Sequence, residues 1–574
     1  MGYDVKIVGG TIVDGSGRER YRGDVGIKDG RVVALGYAPE SAVRTIDAAG
    51  LVVAPGFVDV HTHYDAQILW DPMLSVSPWH GVTTVVMGNC GFGIAPTQPA
   101  HRELILGTLA RVEGMSLEAL RAGIGPVWPF VSFAEYMDAI ERRGSAINLA
   151  VLGGHTPIRL FAMGEEAVER KARPDEVMRM KALVRGAIDA GAIGFATSVS
   201  NVHFGFGGKP VPSRFADFDE IVTLCTAMTD AGQGLIHYNV GRAPRFDEYE
   251  ALAVATGRPV CWTSLLSGGL GPGAHREHLA KAHEQLARGL PIHPQGAARP
   301  ITLEIDFRMP VTFDTWHNFT PVRLAKSEDE RRRLYADPAF RAGFKAEVEG
   351  RGTNQLHFPG GDGEAAGNRA SWDEILISWY PPNPAYNERK VSELARELGV
   401  HTVDLVLDCA LNSNLDARFR MPRVNFDEAE VSEIIGDPAV IIGLGDGGAH
   451  LSQLCDACYS THVLGHWVRE MGVLSLEQAV YRLAFQTAQV YGITDRGLLA
   501  VGRPADIVVF DPTTVGAGPL ERIYDLPAGA DRLVSHPTGI HAVLVNGSVL
   551  PLPGQPAVQL SGRLLRNGRA RAAA

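Results

Sequence analysis

Eight strand-like runs alternate with helical patterns through the middle of this chain, and that alternation most narrows the folds open to it. The runs are Val58–His63, Thr83–Met87, Asn148–Leu152, Ala192–Thr197, Gly234–Tyr238, Pro259–Thr263, Pro291–Pro294 and Val440–Gly445. Helical patterns such as Pro174–Ala190 and Phe215–Ala231 stand between several of them. Strands separated by helical crossovers predict parallel pairing, and about eight of them predict an α/β fold built on a (β/α)8 TIM barrel. In such barrels the chemistry gathers where the strands end.

The two ends of the chain read differently. Val5–Val8, Asp24–Lys28 and Arg31–Leu35 are short strand patterns, the last two joined by Asp29-Gly30; Asp506–Phe510 and His541–Val545 lead to Asn546-Gly547. Asp-Gly and Asn-Gly between such runs predict hairpins. We therefore expect one small β-sandwich domain from residues 1–57 and 498–574, around a barrel at 58–497. From about 299 to 425 the alternation breaks into charged helices and Trp-, Pro- and Gly-rich loops, which predicts an insertion over the barrel mouth.

The formal net charge of -11 excludes nucleic acid as the main partner, and no apolar stretch is long enough for a membrane span. The first residues enter a strand pattern without a signal-peptide layout, and 6 cysteines in 574 residues are too few for a disulfide scaffold. The expectation is a cytoplasmic protein with reduced thiols and a small-molecule substrate; a homo-oligomer is left open.

The ends of the strands carry the polar residues. The first run closes on His61-Thr62-His63, and two imidazoles leaving a buried strand suit zinc. The second runs into Gly88-Asn89-Cys90-Gly91, where a thiolate on a glycine-flanked turn can approach a cation. His155 follows the third, His237 lies in the fifth and Asp446 follows the eighth. One barrel brings all of them to one mouth. A carboxylate such as Asp446 beside a metal can take a proton from a bound water and return it to a leaving group.

These segments resemble the amidohydrolase superfamily, and within it the D-aminoacylase, or N-acyl-D-amino-acid deacylase, branch. Ala54–His63 is similar to the superfamily's first-strand signature, and Gly81–Gly91 and Gly191–Ser198 to the branch. The resemblance implies a hydrolase of carbon–nitrogen (amide) bonds in which metal-bound hydroxide attacks. His61 and His63 would hold one Zn2+, Cys90 and His237 would belong to a neighbouring position, and Asp446 would be a metal-facing general base and acid. No lysine stands on or just after the fourth strand, so a carboxylated lysine is not expected. His155 is expected to line the substrate site.

The chain departs from that pattern in three places. Thr263 and Ser264 occupy the sixth strand's histidine position, so a second zinc is expected to be weak or absent. His293-Pro294-Gln295 stands where the branch has Tyr-Pro-Tyr, making His293 and Gln295 candidates for substrate contact. The segment His450–Asp456 has no arginine for a substrate carboxylate, and Arg299 is a candidate replacement. The alternatives are an ester, lactone or cyclic amide as the bond cleaved, or a non-catalytic amidohydrolase-like scaffold.

Overall fold

All eight expected runs are strands of one parallel sheet. A computed structural model describes residues 2–241, 243–308, 310, 313, 316–350, 372–552 and 559–570. The strands are Phe57–Asp59, Val82–Met87, Asn148–Gly154, Gly194–Ser198, Leu235–Asn239, Val260–Leu265, Ile292–Ala297 and Ile441–Gly443, each paired in parallel with the next. Closure comes just beyond the first and eighth strands, where Thr62 bridges Gly447, His63 N–H donates to Gly447 O at 2.7 Å and Asp446 N–H to His61 O at 2.9 Å. The ring is thus tied shut by the segments that carry the candidate chemistry, in a TIM barrel.

Local sequence explains the crossovers. Pro174 opens the helix Pro174–Asp189, where a missing N–H costs nothing. Asp217 caps Phe218–Ala231 by accepting from Glu220 N–H, and Gly232 ends it in the left-handed region that favours glycine. The third strand is buried along its whole length, as a parallel strand covered on both faces must be.

Strands from both termini share a second sheet. Val52–Pro55 pairs antiparallel with Ile507–Phe510, which pairs with Ile540–Val545. The two expected hairpin turns have positive φ at both central residues: Asp29 and Gly30 at 49° and 74°, Asn546 and Gly547 at 46° and 82°. The last hairpin, Leu565–Arg566 with Arg569–Ala570, leaves that sheet and packs with the barrel. Leu565 shares a core with Val58, Ala150, Ala196 and Ile441, and Arg566 reaches Asp138 and Glu141 at 2.5 and 2.8 Å.

The chain divides into two compact units: Met1–Leu265, His278–Ala298 and Ser432–Ala574 form one, Leu266–Glu277 and Arg299–Val431 the other. The first holds the barrel and the terminal sheet. The second has an antiparallel sheet with Arg418–Val424 between Ile301–Asp306 and Leu376–Trp379, over an aromatic core that includes Phe313, Trp316, Phe344 and Trp372. The expected insertion at 299–425 falls in this unit; its residues 309, 311–312, 314–315 and 351–371 lie outside the described residues.

Candidate metal centre

At the barrel mouth the ligand atoms of His61, His63 and Cys90 all lie within 4.8 Å of one another, and all three residues are buried. His61 Nε2 is 3.4 Å from Cys90 Sγ. Tetrahedral zinc with bonds of about 2.0–2.3 Å sets its donors roughly 3.3–3.7 Å apart, so that spacing fits. Asp446 Oδ1 stands 3.5 Å from His61 Nε2 and 3.7 Å from His63 Nε2. His237 packs its ring against His61 with centroids 5.2 Å apart, and its Nε2 lies 3.4 Å from Thr263 Oγ1.

The backbone aims these groups by uncommon conformations. Cys90 has φ 54° and Asp446 φ 43°, left-handed values that non-glycine residues hold only where the surroundings enforce them. Gly445 has no side chain for a steric reason: a Cβ there would meet Asp59 Oδ2 at 2.1 Å.

Neighbours choose which nitrogen faces inward. His61 Nδ1–H donates to Gln295 Oε1 at 2.8 Å, leaving the Nε2 lone pair toward the sulfur. Gln295 also accepts from Thr263 Oγ1 at 3.0 Å and donates through Nε2 to Tyr491 Oη, so its amide is held at both ends. His63 Nδ1 faces Glu113 Oε1 at 3.3 Å. Asn239 Nδ2 donates to Cys90 Sγ at 3.0 Å.

The ionisable groups of the site hold one another's charges against burial. Burial opposes charge throughout, yet contact with the imidazoles, His61 foremost, holds the Cys90 thiol well below its ordinary range. Burial likewise opposes the His61 imidazolium, but the Cys90 thiolate outweighs it and raises its pKa to about 9. His63 is raised against burial chiefly by Glu113. Asp446 is lowered despite burial by its hydrogen bond to His63, while burial lifts Glu113 to about 8 and Asp59 to about 7. Asp59 Oδ2 is buried without a hydrogen-bond partner. Only protons on His61 and His63 balance this acid-rich cluster, and an imidazole offers its lone pair to a metal once that proton leaves. The donor set, a thiol and two imidazoles beside the Asp446 carboxylate, fits a divalent ion.

Several expected site residues have contacts of their own. His155 was expected to line the substrate site, but both its nitrogens are committed: Nδ1 to Thr197 Oγ1 at 2.7 Å and Nε2 to Glu220 Oε1 at 3.0 Å, in a fully buried network with Arg159. Gln295, expected to touch substrate, is buried behind His61 and orients it. His293 is held largely neutral by burial. Arg299 belongs to the second unit, where its carbonyl accepts from Asn425 Nδ2 at 2.9 Å. Glu113 and Asn239 went unnoticed in the sequence. Asn239 ends a strand and could have been found by its place; Glu113 ends the helix Arg102–Val112, away from any strand exit. Beside the cluster is a cavity of about 300 Å³ lined by Trp70, Gly114, Met115, Gly448 and Gln453 among others.

Residues 44–551 match the model of the amidohydrolase family. The chain belongs to that family. It is 31% identical to the N-acyl-D-glutamate deacylase of Alcaligenes xylosoxydans xylosoxydans, over 98% of this chain and 96% of the relative. A crystal structure of N-acyl-D-glutamate deacylase from Bordetella bronchiseptica, complexed with zinc and a phosphonate inhibitor that mimics the tetrahedral intermediate, superposes with TM-score 0.65 at 27% identity, covering 99% of this chain and 100% of that one. A structure of D-aminoacylase, solved to define the role of its binuclear metal center, gives TM-score 0.65 at 26% identity over 98% and 100%.

Proposed function

We propose that this chain is a zinc-dependent hydrolase of an amide bond in an N-acyl amino acid or a close relative, with Asp446 as general base and acid. The observation that carries this reading is the Asp446 carboxylate at 3.5 and 3.7 Å from the Nε2 atoms of His61 and His63, which share a buried cluster with Cys90. Support also comes from the relatives, which are deacylases by name and in one case bind zinc.

His61, His63 and Cys90 would hold the ion, with Asp446 and His237 beside it; a second position would rest on Cys90 and His237, and Thr263 offers it only a hydroxyl. A divalent ion at such a site polarises a carbonyl and makes water acidic enough to supply hydroxide near neutral pH. The residues do the rest. Asp446, kept ionised by the two imidazoles, accepts the water's proton and delivers it to the departing nitrogen. Gln295 keeps His61 in the Nδ1–H tautomer, and Asn239 holds the sulfur in place.

Asp446→Asn tests this directly. Zinc content should stay at the wild-type level while kcat for N-acyl amino acids falls about 10²- to 10⁴-fold. A fully active variant rejects the role of Asp446. Wild-type protein without tightly held zinc would favour the scaffold reading instead.

A further inference from the structure

The loop after the fourth barrel strand carries two nitrogen donors, His203 and Arg214, and neither is paired with an acid among the described residues. Ser198, the last residue of that strand, pairs in register with Asn239, whose side chain donates to Cys90 Sγ at 3.0 Å. Five residues on, the His203 ring packs edge-on against Phe92, two residues past Cys90, with centroids 5.0 Å apart. Ser200 N–H donates to Ser198 Oγ at 3.3 Å, and the same oxygen lies 2.7 Å from His203 Nδ1. His203 Nε2 meets no partner among the described residues, and it carries the ring proton of a neutral His203 whose Nδ1 accepts from the Ser198 hydroxyl. Burial keeps His203 neutral, its pKa lowered to about 4.

Arg214 lies on the same loop. It is half-buried, donates through Nη1 to His203 O at 3.1 Å and stacks over Phe204 at 4.8 Å. Every other contact leaves its charge unmatched: no carboxylate lies within ion-pair distance of it among the described residues. A partly desolvated guanidinium fork without an acid is an incomplete interaction, and carboxylates match its geometry. The segment after the eighth strand, His450–Asp456, has no arginine to compete for that role.

We infer that the Arg214 guanidinium and His203 Nε2–H bind the α-carboxylate of an N-acyl amino acid, so that this loop selects free acids over neutral amides. This rests on the reading of the chain as a deacylase and names the end of the substrate away from the scissile bond.

The test compares N-acetyl-alanine, N-acetyl-leucine and N-acetyl-phenylalanine, in both configurations, with their carboxamides, on zinc-loaded wild type, Arg214→Gln and Arg214→Lys. Arg214→Gln should raise KM for the free acids about 10- to 100-fold with little change in kcat, and leave KM for the carboxamides within about twofold. Arg214→Lys should recover part of the loss. The acid-to-carboxamide ratio within each protein cancels any difference in folded fraction. Equal changes for both substrate classes, or none, would overturn the assignment. Wild type that cleaves only carboxamides would also overturn it while leaving amide hydrolysis intact. Should wild type cleave neither class, amide hydrolysis itself fails, and calorimetric titration of N-acetyl-leucine into wild type and Arg214→Gln decides: equal affinity or none overturns the assignment, and at least tenfold weaker binding to the variant upholds it.

Discussion

Two buried polar clusters sit near the mouth of this barrel, and they balance their charges in opposite ways. After the third strand, Arg159 forks onto both oxygens of Glu220 at 2.6 Å each, and its remaining donors reach the carbonyls of Ala167 and Arg170. His155, lowered by burial, completes a set whose charges cancel without outside help. At the exits of the first, second and eighth strands, Cys90, Asp446, Asp59 and Glu113 crowd around His61 and His63, and among the described residues no arginine or lysine pairs with them. Both clusters contain a histidine beside acids, so a buried histidine is no guide to a metal. The difference lies in whether the protein supplies the counter-charge. The Arg159 network is complete as folded; the Cys90 cluster has the donor set that a cation would complete.

Stripping the metal should break the comparison most sharply. Dialysis against a chelator is expected to abolish turnover and lower the melting temperature, both restored by zinc, because a bound ion stabilises the state that binds it. Unchanged activity at zero metal content would mean the two clusters do not differ as argued. Next in size is Glu220→Gln. It leaves Arg159 buried without its acid and should cost about 3–5 kcal/mol in denaturant titration, with zinc stoichiometry unchanged.

That penalty depends on pH. Glu220 is lowered below its ordinary value, against burial, by His155 and Arg159. A depressed carboxylate stabilises the fold fully above its unfolded pKa and loses that contribution as pH falls through the folded one. The gap between wild type and Glu220→Gln should therefore be constant near neutrality and shrink below about pH 4. A gap that widens with acid would contradict the ion pair. The smallest effect is expected from Glu113→Gln, which keeps a group beside His63 Nδ1 but removes its ability to ionise when a cation binds. Zinc affinity should fall about 10- to 100-fold, measured by competition with a chromogenic chelator, with folding stability nearly unchanged.

Much of this architecture was legible in residue patterns because it depends on short-range periodicity. Each barrel strand was foreseen within a few residues, and Asp29-Gly30 and Asn546-Gly547 marked real turns, since those pairs tolerate positive φ. His61, His63, Cys90 and Asp446 could be picked out because strand exits in a barrel share one mouth, so position along a strand stands in for position in space. His155 satisfied the same rule and misled. Its helix starts directly at the strand end and carries its ring into contact with Glu220, 65 residues on, which no local pattern announces. Trp316, in the stretch where the alternation breaks, is core in the structure, edge-on to Phe313 with centroids 5.3 Å apart.

Residue order alone thus carried the barrel, the paired terminal strands and the approach of His61, His63 and Cys90, because each follows from backbone geometry repeated over a few residues. Folding in three dimensions decided the partners: that Gln295 turns the Nε2 of His61 inward, that Glu113 stands behind His63, and that Arg159 rather than an ion neutralises Glu220. Such pairings join residues 50 to more than 200 positions apart. Their energies depend on burial and on which charge arrives first, quantities that exist only once the chain has closed on itself.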